Sequence, residues 1–600
     1  MTPGDYPDNI WITGPLAKVL ENTGAPGSVH WAVVYTTRNE IQSFQVHVQA
    51  AASPINALSV RLSDLVNAQT GTRISAASTD IVVYREAYEN VTIPTASGAT
   101  FLNTTGPIPD ILIPAVDPYF HQTTKAFPFT VVAGNNQSVW VDVHTPPTAP
   151  AGYYSGTVTV MDGAAVLAAM PVVYAVWNWE MPSTASLPSF TVASYGGFCV
   201  QVYGPAAGCG TYPSAQGNGD LGAMLADVDA AVQMLDNRYT LAGPGIDVFP
   251  ASGSFATFTS IYGCLLSGTP CTNTSSILKG ARATSWNMTP LPTQITQATF
   301  QNYQNVFTAN GWVEPLYFLA DEPGGNTALW ASMVVAAQVE HGFGVSIPTA
   351  STADLPTATA NNAQNLVDRL IVNMVALEPA GPGAVPESIA SYQAWIAAAP
   401  SGLPPRSFWN YQACSNSGTC TNGVPGPTPG GYPNTYPNYN VDGTPVANRL
   451  VEWMTYLHGQ TGELYYYIDV CDGPGGVCGV GAPGVSMSPG NPLISNYYAG
   501  GWGDGTLMYP GSSTYLGTAK PIWLPSMRLK MIRDGMQDYE YLNELTKAGY
   551  ASFAAQQLQS FITNSYTFNN DPAALEAARQ ALGNKLHELS FAPHSRKIEE

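Results

Sequence analysis

Six hundred residues exceed what a single hydrophobic core organises and predict two or three domains. Charged residues make up 10% of the chain against roughly 25% in an ordinary soluble protein, while hydrophobic residues hold 45%, so charge-driven disorder is excluded. The formal charge of −20, from 21 Lys+Arg against 41 Asp+Glu, would repel a phosphate backbone and excludes nucleic acid as a partner.

From Trp11 to Trp179 short β-type runs follow one another: His30–Thr37, Ser43–Val48, Asp80–Tyr84, Phe129–Val132, Gln137–Val143, Gly156–Val160 and Pro171–Trp177. Gly, Pro and Asn clusters separate them and helical periodicity is scarce, which predicts a β-sandwich over residues 1–182. Glu180–Pro188 holds two prolines and no hydrophobic period, so it reads as a linker.

Beyond Pro188 short apolar strands alternate with amphipathic helical stretches. Phe190–Tyr195 precedes Leu221–Leu235, Leu316–Leu319 precedes Leu329–Val339, and Val345–Pro348 precedes Gln364–Leu370. Ile371–Leu377 precedes Ser388–Ala398, Arg406–Tyr411 precedes Arg449–His458, and Leu464–Asp469 precedes Met527–Leu545. Six such repeats predict a (β/α)8 barrel over 183–548. No glycine fingerprint for a dinucleotide follows any strand, which counts against an open doubly wound sheet. Residues 549–600 read as a C-terminal helical extension, so the predicted class is a multidomain β and α/β protein.

The longest apolar stretch, Gly163–Trp177, is broken by Pro171 and too short to cross a bilayer, so no membrane insertion is expected. The eight cysteines form four close couples, Cys199/Cys209, Cys264/Cys271, Cys414/Cys420 and Cys471/Cys478. Each couple brackets turn-forming residues, and local disulfides close such loops at small entropic cost. Zinc is the rival reading, but there is no C-x-x-C and no companion His at ligand spacing. Neither a metal nor a cofactor is expected. Disulfides imply an oxidising compartment, hence a secreted, periplasmic or extracellular location. The start at Met1 has no signal-peptide character, so a trimmed form is expected.

One constellation carries chemistry: Tyr317-Phe-Leu-Ala-Asp321-Glu322-Pro323. Two adjacent carboxylates end an apolar strand, and Pro323 turns the chain out of it. Their proximity raises one pKa, placing a proton donor beside an anion, as glycoside hydrolysis requires. The alternative is a helix-capping or structural pair. Glu378 and Asp469 also end strands and could supply a second carboxylate across a barrel mouth. Tyr195, Trp286, Trp409, Tyr411 and Tyr466 are predicted at the same face, where aromatic planes stack on sugar C–H faces. They serve equally well as core, and Trp409 and Tyr411 share a strand face by their spacing. In the charge-dense run Arg528–Leu542, Arg533 is five residues before Asp538 and Arg528 six before Asp534, so neither makes an ideal i,i+4 pair and both are expected to reach other elements.

Gly505–Gly511, Pro525–Arg528 and Arg533–Leu542 together resemble the signature of the glycoside hydrolase family 123 catalytic domain and the related domain of unknown function 4091. Tyr432–Pro437, Arg449–Trp453 and Gly462–Tyr466 resemble that family's last two barrel repeats, and Leu319–Pro323 resembles its catalytic Asp-Glu strand end. The resemblance covers Pro188 to Leu545. It implies a β-sandwich before a barrel and release of β-linked N-acetylhexosamine, foremost N-acetylgalactosamine, with retention. It further implies substrate-assisted catalysis: Asp321 steadies the acetamido group that attacks, and Glu322 serves as acid and then base. The sequence departs from the family where Tyr466 stands for a frequent Trp, and in the loops of Cys264/Cys271 and Cys414/Cys420. The expected partner is therefore a glycan or glycoconjugate. The alternatives are a glycosidase on a non-acetamido sugar using Glu378 or Asp469, and a non-catalytic carbohydrate-binding surface protein.

Overall fold

The structure is a computed structural model whose described residues are 6–22, 24, 26–193, 221–242, 255–272, 274–288, 290, 292–377, 388–413, 435–469, 497–498 and 501–591. Its first twelve strands are β1 (Ile10–Thr13), β2 (Ala32–Arg38), β3 (Glu40–Gln49), β4 (Ile55–Leu62), β5 (Leu65–Asn67) and β6 (Arg73–Ile74), then β7 (Ile81–Val91), β8 (Gly106–Pro114), β9 (Phe129–Val131), β10 (Asn136–Thr145), β11 (Gly152–Asp162) and β12 (Ala165–Glu180). They form one sheet in the order β1-β3-β10-β7-β8 and a second in the order β2-β12-β11-β4-β9, with β5 and β6 attached to β11. Every predicted sandwich strand overlaps one of these, with His30–Thr37, Asp80–Tyr84 and Phe129–Val132 running one or two residues past the observed ends. The unpredicted β8 carries Pro107, Pro109 and Pro114, and it occupies a sheet edge, where a missing ladder donor is tolerated.

Strand alternation decides what each face of the first sheet does. Val139, Val141 and Val143 of β10 join Phe44, Val46 and Val48 of β3 in the sandwich core. The alternate residues, Trp140, Asp142 and His144, are buried as well and face the rest of the molecule. Residues 181–188 then contain neither helix nor strand.

The later region is α/β, built on a curled, wholly parallel sheet. Its strands are β13 (Ser189–Phe190), β14 (Asn287–Met288), β15 (Leu316–Ala320), β16 (Thr349–Ser351), β17 (Arg369–Asn373), β18 (Ser407–Gln412) and β19 (Glu463–Tyr465). They pair in the order β13-β19-β18-β17-β16-β15-β14, so the first strand in the chain lies against the last. Next to β13, Thr191 makes a parallel bridge to Leu241, an eighth strand position; among the described residues no ladder joins it to β14. Phe190, Ala242, Leu316, Ala350, Ile371, Trp409 and Leu464 fill the concave interior, one side chain from each of seven strand positions.

Several local expectations are corrected. The strands read at Ile371–Leu377 and Leu464–Asp469 end at Asn373 and Tyr465, with Met374–Leu377 forming a short 3-10 helix. The strand read at Val345–Pro348 is displaced to Thr349–Ser351, since Pro348 lacks the ladder donor and the chain extends only beyond it. The helix read at Gln364–Leu370 is instead Leu355–Ala360, capped by the Asp354 carboxylate accepting from Thr357 N at 2.6 Å, while Arg369 and Leu370 belong to β17.

The charge-dense run forms the helix Met527–Lys547, whose Arg and Asp side chains are buried between the sandwich, the α/β region and the C-terminal helix Pro572–Phe591. Arg528 grips Asp110 of β8 through two bonds of 3.0 and 2.9 Å. Lys530 and Arg533 both reach Asp142 of β10 at 3.0 Å. Asp538 accepts two bonds from Arg449 at 2.8 and 2.9 Å, and Arg579 of the C-terminal helix meets Glu40 of β3 at 2.7 Å. As expected, the partners lie on other elements; the exception is Arg533, which also pairs with its neighbour Asp534 at 3.0 Å. Such buried pairs tolerate no unilateral loss, because the survivor is left as an uncompensated charge.

Candidate active site

Alternation along β15 sends Leu316 and Phe318 into the concave interior, where Phe318 stacks on Phe190 with ring centroids 5.9 Å apart. Tyr317 faces outward against Phe300. The strand ends as Pro323 approaches, and Asp321 and Glu322 stand exposed at its C-terminal end. Glu322 adopts φ +40, a left-handed conformation that costs a non-glycine residue about 1 kcal/mol or more.

The surrounding structure holds that conformation. Glu322 N donates to the Thr352 hydroxyl at 2.5 Å, and the same hydroxyl donates to Asp321 Oδ1 at 2.7 Å. Ser351 Oγ donates to Ala320 O at 2.8 Å, tying the end of β15 to that of β16. Past Pro323, Asn326 caps the helix Thr327–His341, and Trp330 Nε1 donates to Gly324 O at 2.8 Å. From β18, the Tyr411 hydroxyl donates to Glu322 Oε1 at 3.0 Å. Three strands thus converge on one carboxylate pair at the face where parallel β/α folds carry their sites.

The Glu322 carboxyl is held above its ordinary value, first by partial removal from water and second by the Asp321 carboxylate, against the opposing Tyr411 hydrogen bond. A carboxyl biased toward its protonated form therefore stands directly beside a second acidic side chain, both open to solvent.

The remaining predicted residues divide. Tyr411 touches Glu322, and half-buried Tyr466 packs with it against the interior cluster just below. Trp409 is corrected to core: it is 2% exposed, Arg369 covers its ring at 4.5 Å, and a Cβ on Gly462 would lie 2.2 Å from it. Trp286 is likewise core at 3% exposure, packed on Phe258 and Tyr262 on the outer side of the sheet. Neither ring leaves a face for a sugar. Asp469 is 2% exposed and bridges to Thr506 through the backbone, so it offers no carboxylate to solvent. Tyr195 and Glu378 lie outside the described residues, as do Cys199, Cys209, Cys414, Cys420, Cys471 and Cys478. Cys264 and Cys271 are bonded, with Cα atoms 5.2 Å apart. They line a cavity of about 880 Å3 between the turn Tyr119–His121 and the helix Ala256–Ser267, which shares no lining residue with the carboxylate pair.

Sequence reasoning missed Thr352. Its signal was its place directly after a strand, at the same end as Asp321, and the misplaced strand at Val345–Pro348 hid it. Among the described residues no cluster of three or more His, Cys, Asp or Glu could hold a metal ion, and no helix is long and apolar enough to cross a membrane.

Residues 33–162 match the family model described as glycoside hydrolase 123 N-terminal domain. Among solved structures the chain is similar to a family 123 glycoside hydrolase from Clostridium perfringens, analysed for glycolipid glycan hydrolysis. The TM-score is 0.59 at 11% identity, covering 97% of this chain and 98% of that one, which establishes the shared fold over the full length. A family 39 glycoside hydrolase from Bacteroides cellulosilyticus matches at a TM-score of 0.27 and 10% identity, over 84% of this chain and 81% of that one, and carries no argument. Comparison with curated proteins gives no significant match.

Proposed function

We propose that this chain, which carries the N-terminal domain of glycoside hydrolase family 123 on the fold of a family 123 enzyme, is a retaining glycoside hydrolase that releases β-linked N-acetylhexosamine, foremost N-acetylgalactosamine. The observation that carries the reading is the exposed Asp321–Glu322 pair, fixed at the C-terminal end of β15 with the Glu322 carboxyl raised. The substrate's acetamido oxygen attacks the anomeric carbon to form an oxazolinium ion, so the protein supplies no nucleophile. Asp321 accepts the acetamido N–H and balances the positive charge growing on that group. Glu322 gives its proton to the departing glycosidic oxygen, then takes one from the water that opens the oxazolinium ring. Both residues work on one side of one sugar, which is why neighbours in the chain suffice.

The reading extends to the frame: residues 183–548 as a (β/α)8 barrel closed by the strand at Leu241, residues 1–182 as the sandwich domain, and 549–600 as the helical extension. The Cys264–Cys271 bond supports an extracellular setting.

The test is turnover of chromogenic β-N-acetylgalactosaminide beside the glucosaminide and the galactoside. We expect the acetamido sugars alone to be cleaved, Glu322→Gln to lose at least ~10³-fold in kcat, and Asp321→Asn roughly 10²-fold. Equal turnover of the galactoside would show that a protein nucleophile acts instead.

A further inference from the structure

We infer that Thr352 is the positioning residue of this site, its single hydroxyl fixing both the conformation of Glu322 and the acceptor role of Asp321. The inference rests on the function proposed above and deepens it.

A hydroxyl carries one proton and two lone pairs. The backbone N–H of Glu322 can only donate, and it points at Thr352 Oγ1 from 2.5 Å. That bond occupies a lone pair, so the one hydroxyl proton goes to Asp321 Oδ1 at 2.7 Å. The polarity of the relay is settled from Glu322 N–H through Oγ1–H to Oδ1, and Oδ1 must be an unprotonated acceptor. The relay does two things at once. It anchors the backbone of a residue in the left-handed region, at φ +40, where no glycine relieves the strain. It also pins Oδ1, fixing the direction in which Oδ2 meets an acetamido N–H. Thr352 is 5% exposed and sits one residue past β16, so its hydroxyl is carried by the sheet rather than by a free loop. It touches neither substrate nor reacting atoms; it acts through the two carboxylates.

The experiment uses the full chain and the chromogenic N-acetylhexosaminide. Thr352→Val keeps the shape and deletes the hydroxyl; kcat is expected to fall ~10- to 100-fold with KM within about threefold. Thr352→Ser restores the hydroxyl and is expected to keep most of kcat. In an Asp321→Ala background, where Thr352 keeps only its anchor on Glu322 N, Thr352→Val is expected to lower kcat by less than it does in the wild type, because residues acting partly as one unit are not additive. Should the valine variant not fold, Thr352→Ala makes the same deletion.

Near-wild-type kcat in the valine variant overturns the inference. So do losses that multiply with Asp321→Ala, or a serine variant as impaired as the valine one. A wild-type chain inactive on N-acetylhexosaminides, or an Asp321→Ala variant at wild-type rate, fails the functional reading itself, and the inference falls with it.

Discussion

Tyr411 donates a hydrogen bond to Glu322, the carboxyl whose protonation the first step of the proposed reaction needs. A donor to an ionised carboxylate favours the charged form, so the phenol works against the burial and the Asp321 charge that raise Glu322. Removing it lets the Glu322 pKa rise further. In Tyr411→Phe the alkaline limb of the kcat/KM profile, which reports loss of the acid's proton, is expected to move to higher pH by roughly half to one unit. A pH–rate series on both proteins checks this, and an unmoved limb would remove Glu322 from the acid role. The same strand shows what residue spacing can and cannot say. Period-two alternation places Trp409 and Tyr411 on one face, and both do point inward. Alternation carries no depth: two residues further down, Trp409 is closed off by Arg369 and the bare backbone of Gly462, while Tyr411 reaches the rim.

Among elements, the helix Met527–Lys547 shows most directly how packing overrules propensity. Gly535 sits in its middle, where an alanine would ordinarily gain about 1 kcal/mol of helix stability. A Cβ there would lie 2.1 Å from Glu452 Oε2 and 2.8 Å from the Arg449 carbonyl oxygen. The carboxyl belongs to a buried set in which the single Tyr439 hydroxyl lies 2.6 Å from Glu463 and 3.2 Å from Glu452, so it has little freedom to withdraw. Gly535→Ala is therefore expected to destabilise by about 2 kcal/mol or more, against its propensity, read as a lower melting temperature. A raised melting temperature would show this helix and the helix Val451–Leu457, which carries Glu452, free to part. The strand and helix periods of the sequence located this element and most of the parallel strands. They failed at the two-residue β14, at the single bridge position Leu241, and at β16, three small residues after a proline, where no hydrophobic signal exists to read. With β16 went Thr352, whose hydroxyl joins Glu322 N to Asp321 Oδ1.

In the molecule as a whole, the sequence also hid which charges meet, because the partners are distant in the chain: Arg528 with Asp110, Arg579 with Glu40. No local pattern encodes a contact across 400 residues. The same burial sets how stability answers to pH. Removal from water pushes Glu340 up to about 8 and Asp117 and Asp504 to about 7, and it raises the Glu452–Glu463 pair as well. In the unfolded chain these groups release their protons near pH 4. Between pH 4 and 8 the folded state therefore binds more protons, and stability falls as pH rises through that window. His47, pushed down to about 3 by burial, acts oppositely up to pH 6.5, and Lys18, pushed down to about 7 by burial, acts oppositely above that pH. Asp142 is a separate case: burial would raise it, but Arg533 and Lys530 outweigh that and hold it low, so its contribution is lost only in strong acid. Maximum stability is expected at the acid end of that window, about pH 4, with a decline toward pH 8 that the growing negative charge reinforces.

Glu340 isolates this effect. It is wholly buried, and among the described residues neither carboxylate oxygen accepts a hydrogen bond, with His341 Nε2 at 3.7 Å and Asp368 nearby. Glu340→Gln keeps the volume and removes the ionisation. At pH 5, where the native carboxyl holds its proton and is neutral in both proteins, the variant should melt within a degree or two of the wild type. At pH 8 the wild type bears the cost of keeping that proton or burying the charge, on the order of 2–4 kcal/mol. The variant escapes that cost and should melt higher by several degrees. Melting curves of the two proteins at both pH values decide it, since an equal difference at pH 5 and pH 8 would mean that Glu340 does not titrate within the fold.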